Sequence, residues 1–318
     1  MWKGGDFKSM NDIVGKSTST DSQAKLGVAA LERHPGNSYQ KMVQVNARQK
    51  DFYESWFKAV QMAGVERAAN TPTGTWSWMR RKLLAMRKLA GLDEYLEELH
   101  RGWMHDLENA RVLDLGCFTG NPLSLWIAEN CAEYTGIDLS EQAVAVLNAK
   151  LSERQFTHAR AYAQDFLANS YPDNHFDLIY ANSVLHHFKD INLLLAELHR
   201  ILKPGGMVIS FDPLMTEPLN RLARALYRPL QTDRDWEWPF TRKTFGLLRR
   251  YFEIADRQGI MGMVKFGFLC QLVLGPGKLG NVITRLGLKF DKKYARHPGA
   301  AFFFCWQATL LLRKRDSR

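Results

Sequence analysis

The chain has 318 residues, 46% of them hydrophobic, which suits one large domain or a core domain with a smaller addition. Its four cysteines are widely scattered, with no CxxC pair and no cysteine–histidine spacing, so neither a disulfide framework nor a zinc site is indicated and a reducing, cytoplasmic compartment is expected. The formal net charge is +10, and segment 278–318 holds ten basic residues against two acidic ones. This segment is either a solvated basic surface or a contact for lipid headgroups, nucleic acid or an anionic substrate.

The N-terminal residues 1–38 are expected to form a mobile polar tail. They contain no apolar stretch of the kind that a signal peptide or a membrane anchor requires. The longest apolar runs, near 266–274 and 300–312, are shorter than the roughly 20 residues that a helix needs to cross a bilayer. The sequence therefore predicts no transmembrane span.

Residues 39–108 are predicted to form a helical cap or lid. Apolar side chains recur at three- and four-residue spacing over 39–62 and 76–89, and the pattern continues over 92–107. The aromatic cluster around Tyr53 either closes over an active site or forms the apolar face of the cap. Core packing is the simpler interpretation, but Tyr53 is kept as a candidate substrate contact.

The residue pattern of the sequence changes at Arg111, near the predicted start of the core domain (109–318). Short apolar runs end in a glycine or an acid and are followed by helical stretches, which is typical of a doubly wound α/β sheet. Parallel strands are predicted at 111–115, 134–138, 159–163, 176–181 and 207–211, with helices at 122–130, 141–151 and 191–202. Two later runs are predicted to add a further pair of strands, at 253–265 and 301–312. Two insertions rich in basic and aromatic residues are predicted at 214–251 and 266–299.

The first turn of this sheet has the pattern of a nucleotide-type site. The segment VLDLGCFTG at 112–120 is an apolar strand followed by a glycine-punctuated turn, whose N–H groups would face a ligand over the carboxyl edge of the sheet. Asp138 ends the second strand, where a carboxylate can accept hydrogen bonds from two ribose hydroxyls. A dinucleotide-binding GxGxxG turn would need glycines at positions 118 and 121, where this chain has Phe118 and Asn121. Binding of NAD(P) is therefore disfavoured.

Five segments in order and in register carry a family resemblance: VLDLGCFTG, GIDLS, AQDF, FDLIYANSVLHHF and LKPGG. Over about residues 111–212 the chain resembles the class I S-adenosylmethionine (SAM) dependent methyltransferases. The resemblance implies a Rossmann-like, doubly wound, seven-stranded sheet, with five parallel strands and a terminal antiparallel hairpin. It also implies that SAM is the cofactor and S-adenosylhomocysteine the product.

The resemblance further implies which residues contact SAM. The methionine part is assigned to Asp114, Gly116, Cys117 and Gly120, and the ribose to Asp138 and Leu139. The adenine is assigned to Asp165 and Phe166, and the methyl-transfer chamber to Asn182. One departure concerns Phe118, because the family usually has glycine there. Its side chain would crowd the cofactor, force a different loop path, or pack outward against the cap.

Methyl transfer from a sulfonium is an in-line displacement, so the enzyme mainly aligns the nucleophile and excludes water. A base helps when the acceptor is a hydroxyl or a similar weak acid. His186 and His187 follow the fourth strand and are candidate bases, since histidine titrates near working pH; alternatively, they cap the loop or support it by hydrogen bonds. Trp236 and Trp238 are candidate contacts for a flat or apolar acceptor.

No metal is expected in the acidic-aromatic loop that holds these tryptophans. Its carboxylates, Asp233, Asp235 and Glu237, alternate along the chain in a way that fits an exposed loop, and no EF-hand pattern is present.

The acceptor is predicted to be a small hydrophobic or aromatic molecule, lipid-like or a secondary metabolite. Methyltransferases that act on base amino groups resemble one another in having, after the fourth strand, an Asn or Asp followed by Pro-Pro and an aromatic residue, whereas this chain has ANSVLHHF there. Methylation of cytosine C5 needs a nucleophilic cysteine near the cofactor, and none follows the fourth strand. Nucleic acid is therefore the less favoured acceptor. A second alternative is a SAM-binding or interaction protein without turnover, favoured by Phe118 and opposed by the joint presence of Asp114, Asp138 and Asp165.

Peripheral contact with an anionic membrane is also predicted. Lys and Arg are mixed with Leu, Phe and Trp at 80–88, at 242–250 and in the C-terminal insertion, as in interfacial segments. The sequence does not determine the oligomeric state, or whether the acceptor atom is O, N or C.

Overall fold

The computed structural model describes residues 37–63, 74–230, 234–275 and 277–315. The predicted polar tail lies almost entirely outside the described residues, and so does Asp233. The strands are β1 (Arg111–Leu115), β2 (Glu133–Asp138), β3 (Ala159–Ala163), β4 (Phe176–Asn182), β5 (Leu202–Pro213), β6 (Phe252–Ile260) and β7 (Gln307–Lys314). The α-helices are α1 (Asn37–Ala63), α2 (Gly74–Leu89), α3 (Leu92–Trp103), α4 (Pro122–Asn130), α5 (Glu141–Glu153), α6 (Ile191–Ile201), α7 (Pro218–Tyr227), α8 (Arg242–Tyr251), α9 (Val264–Leu274), α10 (Lys278–Tyr294) and α11 (Ala300–Phe303).

The seven strands form one sheet in the order β3-β2-β1-β4-β5-β7-β6. Strands β1 to β5 are parallel, and β7 runs antiparallel to both of its neighbours, β5 and β6. This confirms the predicted doubly wound sheet with five parallel strands and an antiparallel terminal pair. The strand order reverses between β1 and β4, and such a reversal opens a cleft at the carboxyl edge of a sheet.

Each face of the sheet is covered by helices because adjacent strand residues point to opposite sides. Leu113 and Ile179 pack with Leu198 and Phe245 of α6 and α8 in one buried cluster. Val112 packs with helices α4 and α5 in another cluster on the opposite face. A third cluster joins α2 and α3 to the start of α9, so the predicted cap lies against the second insertion.

The predicted strand at 253–265 is too long. Strand β6 ends at Ile260, and α9 begins four residues later. The Asp291 carboxylate accepts hydrogen bonds from the N–H groups of Gly262 at 2.9 Å, Met263 at 2.7 Å and Val264 at 3.2 Å. These N–H groups are the unpaired donors at the start of a helix, and Asp291 stabilises them from 27 residues away or more.

The predicted strand at 301–312 also begins too early. Residues Ala300–Phe303 form helix α11, and strand β7 starts at Gln307. Phe302 and Phe303 both contact the ring of Phe245, with centroid distances of 5.7 and 5.3 Å. Neighbouring residues in a strand point to opposite faces, so two adjacent rings on one partner fit a helical turn better than a strand.

The two predicted insertions are mainly helical and follow the carboxyl ends of β5 and β6. The second forms an antiparallel hairpin of α9 and α10, in which glycines allow close contact. A Cβ added to Gly267 would lie 2.1 Å from Thr284 Oγ1, and one added to Gly280 would lie 2.6 Å from Gln271 Cγ. Over the described ranges, no helix combines the length and the apolar content needed to cross a membrane.

We expect Gly287→Ala to lower the free energy of unfolding by about 1–3 kcal/mol, since overpacking a tight contact forces backbone shifts. The new Cβ would lie 2.7 Å from the backbone nitrogen of Val264, which cannot move freely. The matched control is Gly246→Ala in α8, whose Cβ would meet nothing within 4 Å, so it should stabilise by up to about 1 kcal/mol. Denaturant unfolding measures both variants, and equal stability of the two would contradict the packing argument.

Candidate functional site

A cavity of about 250 Å³ lies at the carboxyl edge of the sheet, where the strand order reverses. Its walls come from α1, from the loop after β1, from the end of β2 and from the segments after β3 and β4. Eight of the residues predicted from the sequence line it: Tyr53, Gly116, Asp138, Leu139, Asp165, Phe166, Asn182 and His187. Apolar side chains of Leu115, Ile137 and Phe188 complete much of the wall.

The loop after β1 has a backbone that only certain residues adopt readily. Gly116 and Gly120 have φ values of 70° and 72°, in the left-handed region that favours glycine. A Cβ on Gly116 would also lie 2.6 Å from Val184 Cγ2, so the loop passes close to the segment after β4. Phe118 has a φ of 46° and lines the cavity, and its N–H donates to Asp138 Oδ2 at 3.0 Å. The loop therefore keeps a left-handed turn despite the missing glycine.

Asp138 joins this loop to the turn after β2. Its second carboxylate oxygen, Oδ1, accepts a hydrogen bond from the N–H of Ser140 at 2.9 Å. Burial raises the pKa of Asp138 to about 6, although hydrogen bonds from Ser140 and Phe118 oppose the shift. The carboxylate is thus fixed in orientation at the cavity wall, as a ligand for hydroxyl groups must be.

Asp165 is held by the cap. Asn46 Nδ2 of α1 lies 2.9 Å from both carboxylate oxygens of Asp165, and the N–H of Leu167 donates to Oδ1 at 2.9 Å. Burial raises the pKa of Asp165, while the hydrogen bonds from Asn46 and Leu167 lower it. The Asn46 amide therefore makes the same kind of contact that an adenine amino group would make.

Three residues that were predicted to surround the cofactor lie behind the cavity wall instead of on it. Asp114 is 2% exposed and accepts a hydrogen bond from the Tyr134 hydroxyl at 2.6 Å, and burial raises its pKa to about 6. The buried Cys117 packs against Gly136, and Gly120 lies against Leu147. These residues shape the loop from below.

The two histidines have different surroundings. His186 is buried away from the cavity, and its Nδ1 donates to Asp212 Oδ1 at 2.8 Å. His187 lines the cavity, and its Nδ1 donates to the Trp236 carbonyl at 2.7 Å. Burial lowers the pKa of His187 to about 3, and neighbouring His186 adds to this effect. The neutral ring of His187 therefore carries its proton on Nδ1 and a lone pair on Nε2.

The aromatic candidates surround this histidine loop. The Tyr53 ring meets the His187 ring edge-on, with a centroid distance of 6.1 Å. Trp236 contacts His187 through its backbone carbonyl, and the N–H of Trp238 donates to the His186 carbonyl at 2.7 Å. Trp238 also lines a second cavity beside the ion pair of Arg224 and Glu237. Tyr53 thus borders the main cavity, whereas the two tryptophans support the loop that holds the histidines.

Sequence reasoning missed Asn46 and Gln49, which line the cavity from α1, and Asp212, which binds His186. Asp212 follows the apolar run of β5 at the carboxyl edge of the sheet, and this position could have indicated a site residue. Asn46 gave no comparable signal, because its partner Asp165 is 119 residues away. Among the described residues, no group of three or more His, Cys, Asp or Glu side chains is placed to hold a metal ion.

The donor set fits SAM. A fixed carboxylate at the end of β2 suits ribose hydroxyls, a second carboxylate after β3 suits an amino group, and Phe166 adds an aromatic face beside it. The glycine turn after β1 lines the same cavity, and Gly116 lets it pass close to Val184. The residues present are therefore those that such a nucleoside requires.

Comparison with known proteins gives the same assignment. Residues 113–210 match the family model described as a methyltransferase domain. A sterol 24-C-methyltransferase of Gibberella zeae is 31% identical over 108 residues, covering 34% of this chain and 28% of that protein. A demethylmenaquinone methyltransferase of Staphylococcus aureus is 29% identical over 185 residues, covering 50% and 75%. A trans-aconitate 2-methyltransferase of Methylobacterium radiotolerans is 37% identical over 123 residues, covering 38% and 45%.

The matched region spans less than half the length of the sterol methyltransferases among these relatives. The family match over residues 113–210 contains most of β1 and β5 and all of β2 to β4, which are the strands that carry the cavity. The family match, the sheet order and the fixed carboxylate of Asp138 agree with one another. Residues 113–210 therefore form a methyltransferase domain of the class I SAM-dependent type.

Proposed function

We propose that this protein is an enzyme that transfers a methyl group from SAM to a small hydrophobic or aromatic acceptor, either lipid-like or a secondary metabolite. The observation that carries the proposal is one cavity in which Asp138, Asp165 and the neutral His187 share a largely apolar wall. The names of relatives support the acceptor class, since they include methyltransferases of sterols and of demethylmenaquinone. Ligand sites of this kind combine apolar walls with a few placed polar groups.

The residues at the cavity divide the work of binding. Asp138 and Leu139 would hold the ribose, Asp165 and Phe166 the adenine, and the Gly116 loop the methionine part. Bound SAM supplies a methyl group on a sulfonium, and neutral S-adenosylhomocysteine is the leaving group. The apolar wall excludes water from the reacting atoms, and the segment from Asn182 to His187 would align the acceptor. Cap residue Asn46 would release Asp165 when adenine enters, because both use the same carboxylate.

The first test is a calorimetric titration of the full chain with SAM and with S-adenosylhomocysteine. Micromolar binding of both is the expected result, and it would justify a screen of lipid-like and aromatic acceptors for S-adenosylhomocysteine formation. Absence of binding would contradict the proposal. Because the titration needs no acceptor, it separates a wrong cofactor from an unidentified substrate.

SAM affinity is expected to fall about tenfold between pH 7.5 and pH 5. The pKa of Asp138 is raised to about 6, so the carboxylate is ionised at pH 7.5 and roughly one tenth ionised at pH 5. Protonation removes an acceptor for ribose hydroxyls, so affinity decreases as the pH falls through that pKa. Titrations at four pH values between 5 and 7.5 measure this change, and a flat profile would mean that Asp138 does not bind the ribose.

A second candidate is a methyltransferase-fold protein that binds SAM or a partner without turnover. Two observations favour it: Phe118 lines the cavity where the family usually has glycine, and Asn46 engages the Asp165 carboxylate. SAM binding without product formation across the acceptor screen would favour this candidate. A cofactor-dependent product would exclude it.

We also propose that the protein acts in the cytoplasm and contacts anionic membranes peripherally. The support is the basic excess of segment 278–318, together with the hydrophobic class of the proposed acceptor.

A further inference from the structure

Helix α10 buries its small residues and exposes its large apolar ones. Gly280, Thr284 and Gly287 are buried in the contact with α9. Another side of the helix presents four exposed apolar side chains: Leu279, Val282, Leu286 and Phe290. A surface helix normally turns such a stripe toward the core. In the described part of the chain, this stripe is left uncovered.

The free end of the α9–α10 hairpin also exposes apolar side chains. Val273 and Leu274, at the end of α9, are 79% and 71% exposed, although both are large aliphatic residues. In the chain, four residues separate Leu274 from Leu279 at the start of α10. We call Val273, Leu274 and the four exposed apolar residues of α10 the hairpin surface. Contiguous exposed apolar patches mark interaction sites.

The charges beside the hairpin surface have one sign. Helix α10 contains five basic residues: Lys278, Arg285, Lys289, Lys292 and Lys293. Its one acid, Asp291, is buried and is bound to the N–H groups that begin α9. The outward charge of the helix is therefore entirely positive. An apolar stripe flanked by Lys and Arg has the composition of helices that lie in the interface of anionic membranes.

The hairpin lies at the same edge of the sheet as the cavity. Strand β7 is antiparallel to both β5 and β6, so β6 runs in the direction of the parallel strands. Pro213 of β5, Gln307 of β7 and Ile260 of β6 are in register at this edge. Helix α9 begins just beyond Ile260. A membrane held by the hairpin would thus lie on the side from which a lipid-like acceptor reaches the cavity.

We propose that the hairpin surface docks on an anionic lipid bilayer, with its apolar side chains inserted at the interface and its basic residues against the headgroups. A second copy of the chain is a poorer occupant, because two positively charged faces would meet. The idea deepens the proposed function, since it gives a route for a membrane-dissolved acceptor. Docking itself requires neither cofactor nor turnover.

Vesicle flotation with the full chain tests the proposal. Vesicles of phosphatidylcholine containing phosphatidylglycerol are expected to bind the protein at least tenfold more tightly than phosphatidylcholine alone, and added salt should weaken the binding. The triple variant Val273→Ser/Leu274→Ser/Leu286→Ser should bind at least tenfold more weakly, with unchanged melting temperature and SAM affinity. Arg285→Gln and Lys289→Gln should each reduce binding about fivefold.

Two controls lie on β3, at the opposite end of the sheet from β6. Tyr162→Ser removes an exposed aromatic side chain and Arg160→Gln removes an exposed charge, and both should bind vesicles like the wild type. The proposal is overturned if the wild type fails to float at every salt concentration, or if the triple variant floats equally well. Self-association that the triple variant abolishes, without vesicle binding, would assign the surface to a second copy instead. Vesicle binding without SAM binding would refute the proposed function alone, and the reverse result would refute the docking alone.

Discussion

Asp138→Ala is expected to weaken SAM binding by at least a hundredfold. The ribose hydroxyls would lose two hydrogen bonds to the Asp138 carboxylate. Hydrogen bonds to a charged group contribute about 1.5–3 kcal/mol each. At about 1.4 kcal/mol for each factor of ten, two such bonds amount to a hundredfold or more. The change also removes the acceptor for the Phe118 and Ser140 N–H groups, which lie 3.0 and 2.9 Å from it. Two loops of the cavity would therefore lose their common anchor.

Calorimetric titration with SAM measures this loss, and a melting curve shows whether the variant is folded. Asp138→Asn keeps the size of the side chain but places an amide group beside two N–H donors, so it should also bind SAM poorly while remaining compact. Asp173→Ala is the control, because that acid is exposed and does not line the cavity. Near wild-type affinity of a folded Asp138→Ala variant would show that the ribose is held elsewhere.

The strands that carry this site were predictable because their sequence pattern is local. Strands β1 and β3 and helix α4 have the predicted bounds, since each apolar run is ended by a glycine, an acid or a proline nearby. The errors fall where distant residues decide. Asp291 ends the run at 253–265 by capping α9, and Phe245 draws Phe302 and Phe303 into a helical turn. The sequence of each segment does not indicate its distant partner, Asp291 or Phe245.

The same distinction applies within the candidate site. The end of the second strand predicted Asp138 at this edge, and the family resemblance implied Asp165 at the cofactor; both line the cavity. Side-chain direction was not predictable from spacing. His186 and His187 are adjacent, yet one binds Asp212 behind the wall and the other faces the cavity. The cap contributes Asn46 across 119 residues, which no local pattern indicates.

The hairpin surface shows why a hydrophobic pattern can mislead. The periodicity of α10 is that of an amphipathic helix, and such a pattern predicts which residues share a face but not which face is buried. Glycines 280 and 287 decide the matter, because they let the helix approach α9 on its small-residue side. The apolar stripe is consequently left outward, and membrane docking is the proposed reason.

His187→Ala is expected to lower turnover by about 10²–10⁴-fold, the usual contribution of a positioned base, while SAM affinity stays within about twofold. Nδ1–H of His187 is used by the Trp236 carbonyl, so only Nε2 can accept a proton from a hydroxyl acceptor. The acceptor oxygen would give its proton to Nε2 as it takes the methyl group. Positive charge then disappears from the sulfonium and appears on the imidazole.

This conservation of charge explains how a histidine with a low pKa can act as the base. Burial and the neighbouring His186 disfavour the charged imidazole, which lowers the pKa of His187 to about 3 in the free protein. A cavity that already holds a sulfonium gains no additional positive charge when the proton moves. The reaction relocates one charge within the same walls, close to the carboxylates of Asp138 and Asp165.

The pH profile separates this role from a structural one. A pKa of about 3 keeps His187 neutral from pH 5 to 8, so kcat at saturating SAM should be nearly constant over that range. By contrast, kcat/KM for SAM should decrease below pH 6, as Asp138 is protonated. His297→Ala, at an exposed position, serves as the control. Unchanged turnover in the His187→Ala variant, once an acceptor is known, would remove the histidine from the chemistry and leave alignment and exclusion of water as the means of catalysis.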